Sequence, residues 1–311
     1  MGELSLLKKF RAEAPANAAV RVGPGHDCAV LDWPAQTDLL FKMDQVVEGT
    51  HFLLSGPEAA TPKSIGRKAI YKACSDIAAA GGTPTAVTVA LNIRKGSNES
   101  LALEIFEGLR EACLAFGIGL AGGDFCTSEN GLSIAVSMLG ECPRGKAWTR
   151  GGAKPGDALL VTGTLGASRA GKHLNFQPRV EEAHLIRALC ENGVHACIDI
   201  TDGLSRDLRH LCAESSCGAR LDLEKIPLSA DALRLSADRA GAFQRALSDG
   251  EDFELLLAVD PAQAHVLLKN WTSPTSLTRI GAILPHERGL KILNSDGTET
   301  PLLDSGYEHH V

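Results

Sequence analysis

The sequence predicts an α/β (α+β) protein of two domains, and three observations carry that prediction. Its 311 residues exceed what one ordinary core organises and suit two domains of common size. Segments with strand-like apolar alternation take turns with segments whose apolar residues recur at helical spacing. A polar stretch bearing glycines and two prolines, PRGKAWTRGGAKPGD over 143–157, interrupts that alternation near the middle. It sets the expected boundary between domains 1–147 and 148–311.

Taken in order, DLLFKM (38–43) reads as a strand running into Asp44. Thr61 is a helix N-cap and Pro62 suits the first helical position. Apolar residues at Ile65, Ala69, Ala73, Ile77 and Ala80 then mark one face, and Gly81-Gly82 stop the helix. AVTVALNI (86–93) is a strand, residues 99–116 form an amphipathic helix ending at Gly117, and LSIAVSMLGEC (132–142) alternates as a strand. Beyond the boundary come a strand ALLVTG, a loop and helix, a strand ACIDI running into a helix from about Asp202, and a late strand ELLLAV. Such alternation builds α/β or α+β layers.

Composition narrows the function classes. Hydrophobic residues at 44% and charged ones at 22% are globular values and argue against disorder. A net charge of −7 denies the chain the basic field of a general nucleic-acid binder. No run of 18 apolar residues occurs, and MGELSLLKKF lacks an apolar stretch followed by a small-residue cleavage site. The expectation is no membrane span, no secretory signal and a cytoplasmic location. The nine cysteines include no C-x-x-C pair and read as reduced thiols rather than disulfides or a zinc site.

Two glycine-rich strings invite false readings. Gly166 to His173 nearly matches a P-loop, but His173 stands where a hydroxyl must hold Mg²⁺, so a domain-entry turn is the better reading. Gly117-Ile-Gly119-Leu-Ala-Gly122 matches a dinucleotide fingerprint as a string. Its context is reversed, with a helix before it and a polar loop (DFCTSEN) expected after it.

What remains is a set of aspartates at the ends of predicted elements: Asp27, Asp44, Asp76, Asp124, Asp199 and Asp202. Taken singly, Asp202 or Thr201 serves equally as a helix cap, and Asp27 and Asp124 as turn residues. Asp76 is harder to dismiss. It faces the negative end of a helix macrodipole, a placement that costs up to roughly 1 kcal/mol, in an Ala-rich turn that a nearby cation would relieve. Converging carboxylates of this kind suit a hard divalent ion rather than zinc. Metal ions so held can neutralise and align phosphates as a P-loop's amides do elsewhere.

Nine ordered blocks span nearly the whole chain: GPGHDCAVL (23–31), DQVVEGTHF (44–52), CSDIAAAGGTP (74–84), AGGD (121–124), TRGGAKPGD (149–157), VTGTLG (161–166), IDITDGL (198–204), GEDFEL (250–255) and GYEHH (306–310). Together they resemble the thiamine-monophosphate kinase family, within the superfamily that includes aminoimidazole ribonucleotide synthetase. The resemblance implies ATP-dependent phosphorylation of thiamine monophosphate to thiamine diphosphate, by direct in-line transfer on several Mg²⁺ ions. It also implies an N-terminal α/β domain with a mixed sheet pairing across a homodimer, followed by a C-terminal α/β domain.

Carried over by motif, Asp27, Asp44, Asp76, Asp124, Asp199 and Asp202 would be metal ligands. Gly123, Asp124, Arg150 and Thr201 would contact ATP, with Asp44, Asp202 and Arg150 closest to the chemistry. A guanidinium suits that role, since it clamps phosphate bidentately. His51, Glu251 and Tyr307 would hold thiamine monophosphate, as a hydrogen-bonding ring, a carboxylate for a cationic heterocycle and an aromatic to stack on it. No general base is evident, and none is required where the attacking phosphate oxygen is already ionised.

The sequence departs from the family's pattern in one region. His26 stands where the family usually has aspartate, Lys42 and Met43 replace the usual Ser-Thr before Asp44, and Phe125 and Cys126 replace two threonines. Lys42 either supplies positive charge in place of one metal or points to solvent from an edge strand. A lower metal stoichiometry is the expectation. The competing functions are another ATP-using enzyme of the superfamily and a non-catalytic nucleotide-binding paralogue.

Overall fold

The structure, a computed structural model, describes residues 9, 12–15, 17–18, 20–22, 30–31, 36–190 and 192–307. Asp27 and His26 lie outside them. The chain divides into two compact units. The first comprises residues up to Ile77, Gly82–Gly145 and Leu174–Phe176; the second comprises Ala78–Gly81, Lys146–His173 and the chain from Gln177.

In the N-terminal unit, the short strands β1 (Val20–Val22) and β2 (Val30–Leu31) pair antiparallel. The main sheet joins β3 (Thr37–Val47), β4 (Thr83–Arg94), β5 (Gly119–Ser128) and β6 (Ser133–Pro143) in the order β3-β6-β4-β5. β6 runs antiparallel to β3 and β4, and β4 and β5 run parallel. Helix α1 (Pro62–Ala79) follows β3 in sequence and helix α2 (Glu99–Ala115) follows β4. Thr61 caps α1 through its hydroxyl, which accepts from the Ser64 N–H at 3.1 Å. The two helices cross where each lacks a side chain. A Cβ on Gly66 would run into the Ile105 carbonyl, and one on Gly108 into that of Lys63.

The period-2 pattern sorts the sheet's two faces. Val136, Met138, Val89 and Leu91 are buried on the face that α1 and α2 cover. On the other face Leu39, Phe41 and Met43 project from edge strand β3, with Phe41 71% exposed. The expected loop DFCTSEN is instead mostly strand, because β5 continues to Ser128 in parallel register with β4. Its polar residues Asp124 and Cys126 look outward while Phe125 is buried, so the segment reads as polar although it is a sheet strand.

The C-terminal unit is built on a seven-stranded sheet of order β13-β12-β9-β11-β7-β10-β8. Its strands are β7 (Ala158–Thr162), β8 (Val194–Asp199), β9 (Gly218–Asp222), β10 (Leu255–Val259), β11 (Leu277–Leu284), β12 (Leu290–Leu293) and β13 (Glu299–Pro301). All pairings are antiparallel except β9 with β12. Helices α3 (Lys172–Asn175), α4 (Val180–Leu189), α5 (Leu204–Ser215), α6 (Ala230–Leu235), α7 (Arg239–Ser248) and α8 (Pro261–Asn270) follow in sequence. The core packs Leu159 and Val161 of β7, Leu256 of β10 and Ile198 of edge strand β8 against Leu204, Leu208 and Leu211 of α5 and Phe243 of α7. That packing fixes the β8–α5 junction, where the candidate carboxylates of this unit lie.

Candidate active site

At the end of β8 the chain turns through Thr201-Asp202-Gly203 into α5. Asp199, the last residue of the strand, is buried, and Asp202 is half-buried. Asp207, in the first turn of α5, reaches back to the turn. A single oxygen, Oδ2, accepts the N–H of Thr201 at 2.9 Å and that of Asp202 at 3.0 Å. This ties down amides that would otherwise be left open ahead of the helix. Burial pushes the Asp207 carboxyl well above the usual carboxylate range, and the charges of Asp202 and Asp199 add to that push against the opposing backbone hydrogen bonds. Three acidic side chains thus share one junction.

Two further segments close on this turn. The Glu251 N–H donates to the Thr201 carbonyl at 2.7 Å, and the Phe253 N–H donates to that of Ile200 at 2.9 Å. Glu251 (φ 54°) and Phe253 (φ 52°) both adopt the left-handed region, which costs a non-glycine residue about 1–2 kcal/mol. Strain of this kind gathers at ligand sites. From the C-terminal end, the Tyr307 N–H donates to the Asp202 carbonyl at 3.0 Å, and Arg206 Nη1 donates to the Tyr307 carbonyl at 2.9 Å. Thr201, Asp202, Glu251 and Tyr307, far apart in sequence, therefore meet.

Arg150 does not join them. Its carbonyl accepts from the hydroxyl of Ser215 at the far end of α5, and that 12-residue helix is about 18 Å long. The P-loop-like string also resolves. Lys172 turns inward, donating to Glu254 at 2.8 Å and to the Thr164 carbonyl at 2.7 Å, with Asp252 3.6 Å away. Glu254 also takes Arg179 on both oxygens and the Thr162 hydroxyl. This lysine is committed to buried carboxylates.

On the N-terminal unit the candidates behave differently. Lys42 Nζ lies 2.8 Å from Asp76, and Lys72 Nζ 2.8 Å from Asp44. Of the two readings of Lys42, the solvent-pointing one is thereby excluded. The cation that Asp76 calls for in the last turn of α1 is an ammonium from β3. Asp44 lies within β3, not at its end, on the helix-covered face. Its row continues through Val136 and Val89 to Gly123. Asp124 belongs to the next row, with Ala90, Ala135 and Gln45, and projects from the opposite face. Asp44 and Asp76 are thus brought together, and Asp124 stands apart from them within the unit. A Cβ on Gly123 would strike the Val89 carbonyl, so only glycine fits there.

His51 follows β3. Its Nδ1 accepts the Val47 N–H at 3.1 Å, which places the proton of the neutral ring on Nε2. Below it the fully buried Lys68 donates to the His51 carbonyl at 2.7 Å. Sequence reasoning missed Asp207, Lys68 and Lys72. For Asp207 a signal was present: an acidic residue five positions after Asp202, in the first turn of a helix.

Among the described residues no three His, Cys, Asp or Glu side chains group closely enough to hold a metal by themselves. Mg²⁺ does not require such a cage, because it is commonly held by one or two carboxylates together with substrate phosphates. The all-oxygen set at the β8–α5 junction, Asp199 and Asp202, fits that habit. The Asp44–Asp76 pair does not, since each already carries an ammonium.

Comparison with known proteins agrees with this architecture. Residues 25–142 match the family model for the AIR synthase related protein, N-terminal domain, and residues 154–285 the one for the C-terminal domain. A two-domain AIR synthase-related protein is therefore the class. The thiamine-monophosphate kinase of Rhodopirellula baltica is 38% identical over 292 residues, covering 91% of this chain and 89% of its own. The crystal structure of thiamine-monophosphate kinase from Stenotrophomonas maltophilia superposes with a TM-score of 0.80 at 29% identity, covering 96% of this chain and 97% of that one. AaThiL complexed with AMPPCP and TMP gives 0.75 at 25% identity, over 99% and 97%. The chain belongs to the thiamine-monophosphate kinase family. No helix among the described residues is long and apolar enough to cross a membrane.

Proposed function

We propose that this chain transfers the γ-phosphoryl group of ATP to thiamine monophosphate, yielding thiamine diphosphate, as a cytoplasmic Mg²⁺-dependent enzyme. One observation carries the reading: Thr201, Asp202, Glu251 and Tyr307 meet at one junction in a chain whose full-length relative AaThiL was solved with AMPPCP and TMP.

Asp199 and Asp202 would hold Mg²⁺ on the C-terminal unit, and Asp27 and Asp124 would be the ligands of the N-terminal unit. Magnesium supplies neutralisation of the triphosphate and of the charge developing on the transferred group. Thr201 contributes its hydroxyl to the phosphates. Gly123 lets backbone approach the nucleotide, and Arg150 contacts ATP away from the Thr201 turn. Glu251 faces the cationic heterocycle of the vitamin, Tyr307 offers its ring for stacking, and His51 donates from Nε2 to the acceptor phosphate. That phosphate is ionised at neutral pH, so the protein's task is to align it rather than to remove a proton.

Domain 1–147 then serves ATP, Mg²⁺ and dimerisation, and domain 148–311 is the C-terminal domain that carries the Thr201-Asp202 turn, Glu251 and Tyr307. A second copy covers the apolar row Leu39, Phe41 and Met43 on edge strand β3, which an isolated chain leaves in water. The test incubates purified protein with Mg-ATP and thiamine monophosphate. Thiamine diphosphate forms in proportion to enzyme if the reading holds. Nucleotide hydrolysis indifferent to thiamine monophosphate assigns the chain to another reaction, and binding without product to a non-catalytic role.

A further inference from the structure

The four charged side chains Lys42, Asp44, Lys72 and Asp76 form one alternating cluster. Lys42 and Asp44 are two apart on β3 and share its covered face, while Lys72 and Asp76 are one turn apart on α1. The pairs cross between the elements, Lys42 to Asp76 and Lys72 to Asp44, each at 2.8 Å. All four side chains are at most one-third exposed, so water screens them only in part. Asp44 Oδ1 also accepts the Gln45 N–H at 2.7 Å, which leaves that oxygen with two donors. The last turn of α1 contains no basic residue, so the charge opposing Asp76 and the helix dipole comes from Lys42 across the interface.

We propose that Lys42 and Lys72 occupy, as fixed ammonium charges, the positions at Asp76 and Asp44 that a divalent cation would otherwise take. The cluster sums to zero charge. A metal ion entering it would meet two ammonium groups and would have to displace both from the oxygens it needs. The carboxylates here thus act as anchors that orient two lysines, and positive charge on this face is carried by protein rather than by exchangeable metal. The proposal rests on the phosphotransferase reading only for the use of that charge, not for its placement.

The test counts Mn²⁺ bound to the full chain by electron paramagnetic resonance, with Mn²⁺ alone and no nucleotide or thiamine phosphate, so that a missing kinase activity has no bearing on it. The double variant Lys42→Ala/Lys72→Ala is expected to bind one more Mn²⁺ than the parent, at least about tenfold more tightly than any site the parent shows. The charge-conserving Lys42→Arg/Lys72→Arg is expected to match the parent. An equal count in parent and alanine variant overturns the proposal, as does a gain in the arginine variant. Should the double variant fail to fold, Lys42→Ala alone frees Asp76 and gives the same reading: a gained Mn²⁺ supports the proposal and an unchanged count overturns it.

Discussion

On the N-terminal unit Asp44 and Asp76 each meet a lysine ammonium at 2.8 Å; on the C-terminal unit Asp199, Asp202 and Asp207 are collected at one strand-to-helix junction, where two of them oppose the ionisation of the third. The same residue type therefore has two physical roles here. Where the sequence supplies a lysine at the right pleat and the right helical turn, a carboxylate becomes half of an ion pair with local charge near zero. Where it supplies further carboxylates instead, the site keeps a negative charge suited to a hard cation. A motif that names an aspartate does not say which of these it will be. The neighbours decide.

Neutralising one junction carboxylate separates the two roles most sharply. Asp202→Asn is expected to lower kcat for thiamine diphosphate formation by about 100-fold or more. A residual rate within a few-fold of the parent would show that the junction is not the charged centre of the reaction. Next in size is Lys172→Met, which leaves Asp252 and part of Glu254 without their ammonium partner inside the protein. Urea unfolding should show a loss of about 3 kcal/mol.

Asp252 sharpens the contrast between paired and opposed carboxylates. Burial raises it from 3.8 to about 7, against the attraction of Lys172. The folded chain then binds this proton more tightly than the unfolded chain does. The resulting stabilisation is full below about pH 4 and is lost as pH rises through 7. Asp252→Asn keeps an acceptor for the Gly166 N–H and removes that dependence. Relative to the parent, it should gain on the order of 2 kcal/mol between pH 5 and pH 8, read from denaturation midpoints at each pH.

The smallest expected effect concerns Asp207. Asp207→Leu removes the oxygen that holds both Thr201 and Asp202 and should weaken Mn²⁺ binding and kcat by roughly tenfold. Asp207→Asn can offer one oxygen to the same two amides and should recover most of that loss. If Asn and Leu behave alike, charge rather than placement is what Asp207 contributes.

Much of this was legible in the chain. The helix from Thr61 announces itself by cap, first-turn proline and a double-glycine stop, and α1 begins at Pro62. The strand 38–43 extends on to Val47, because pairing with β6 carries Asp44 inside the sheet instead of ending at it. Residues 124–128 were opaque for a different reason. In β5 the face of Asp124 and Cys126 is exposed and polar, and Thr127 on the other face is exposed as well, so the apolar signal that marks a strand is suppressed. The meeting of Glu251 and Tyr307 at Thr201-Asp202 depends on backbone hydrogen bonds between segments about fifty and a hundred residues away, which no local pattern encodes. The sequence indicated that Asp76 wants a cation. That Lys42 is that cation, and that Lys72 serves Asp44 likewise, required the register of β3 against α1.

The most direct test of the account follows label from γ-³²P-ATP in the presence of Mg²⁺ and thiamine monophosphate, for the parent and for Asp202→Asn. The parent is expected to yield labelled thiamine diphosphate and the variant near-background label. Label released as inorganic phosphate regardless of thiamine monophosphate, or an Asp202→Asn variant as active as the parent, would contradict it.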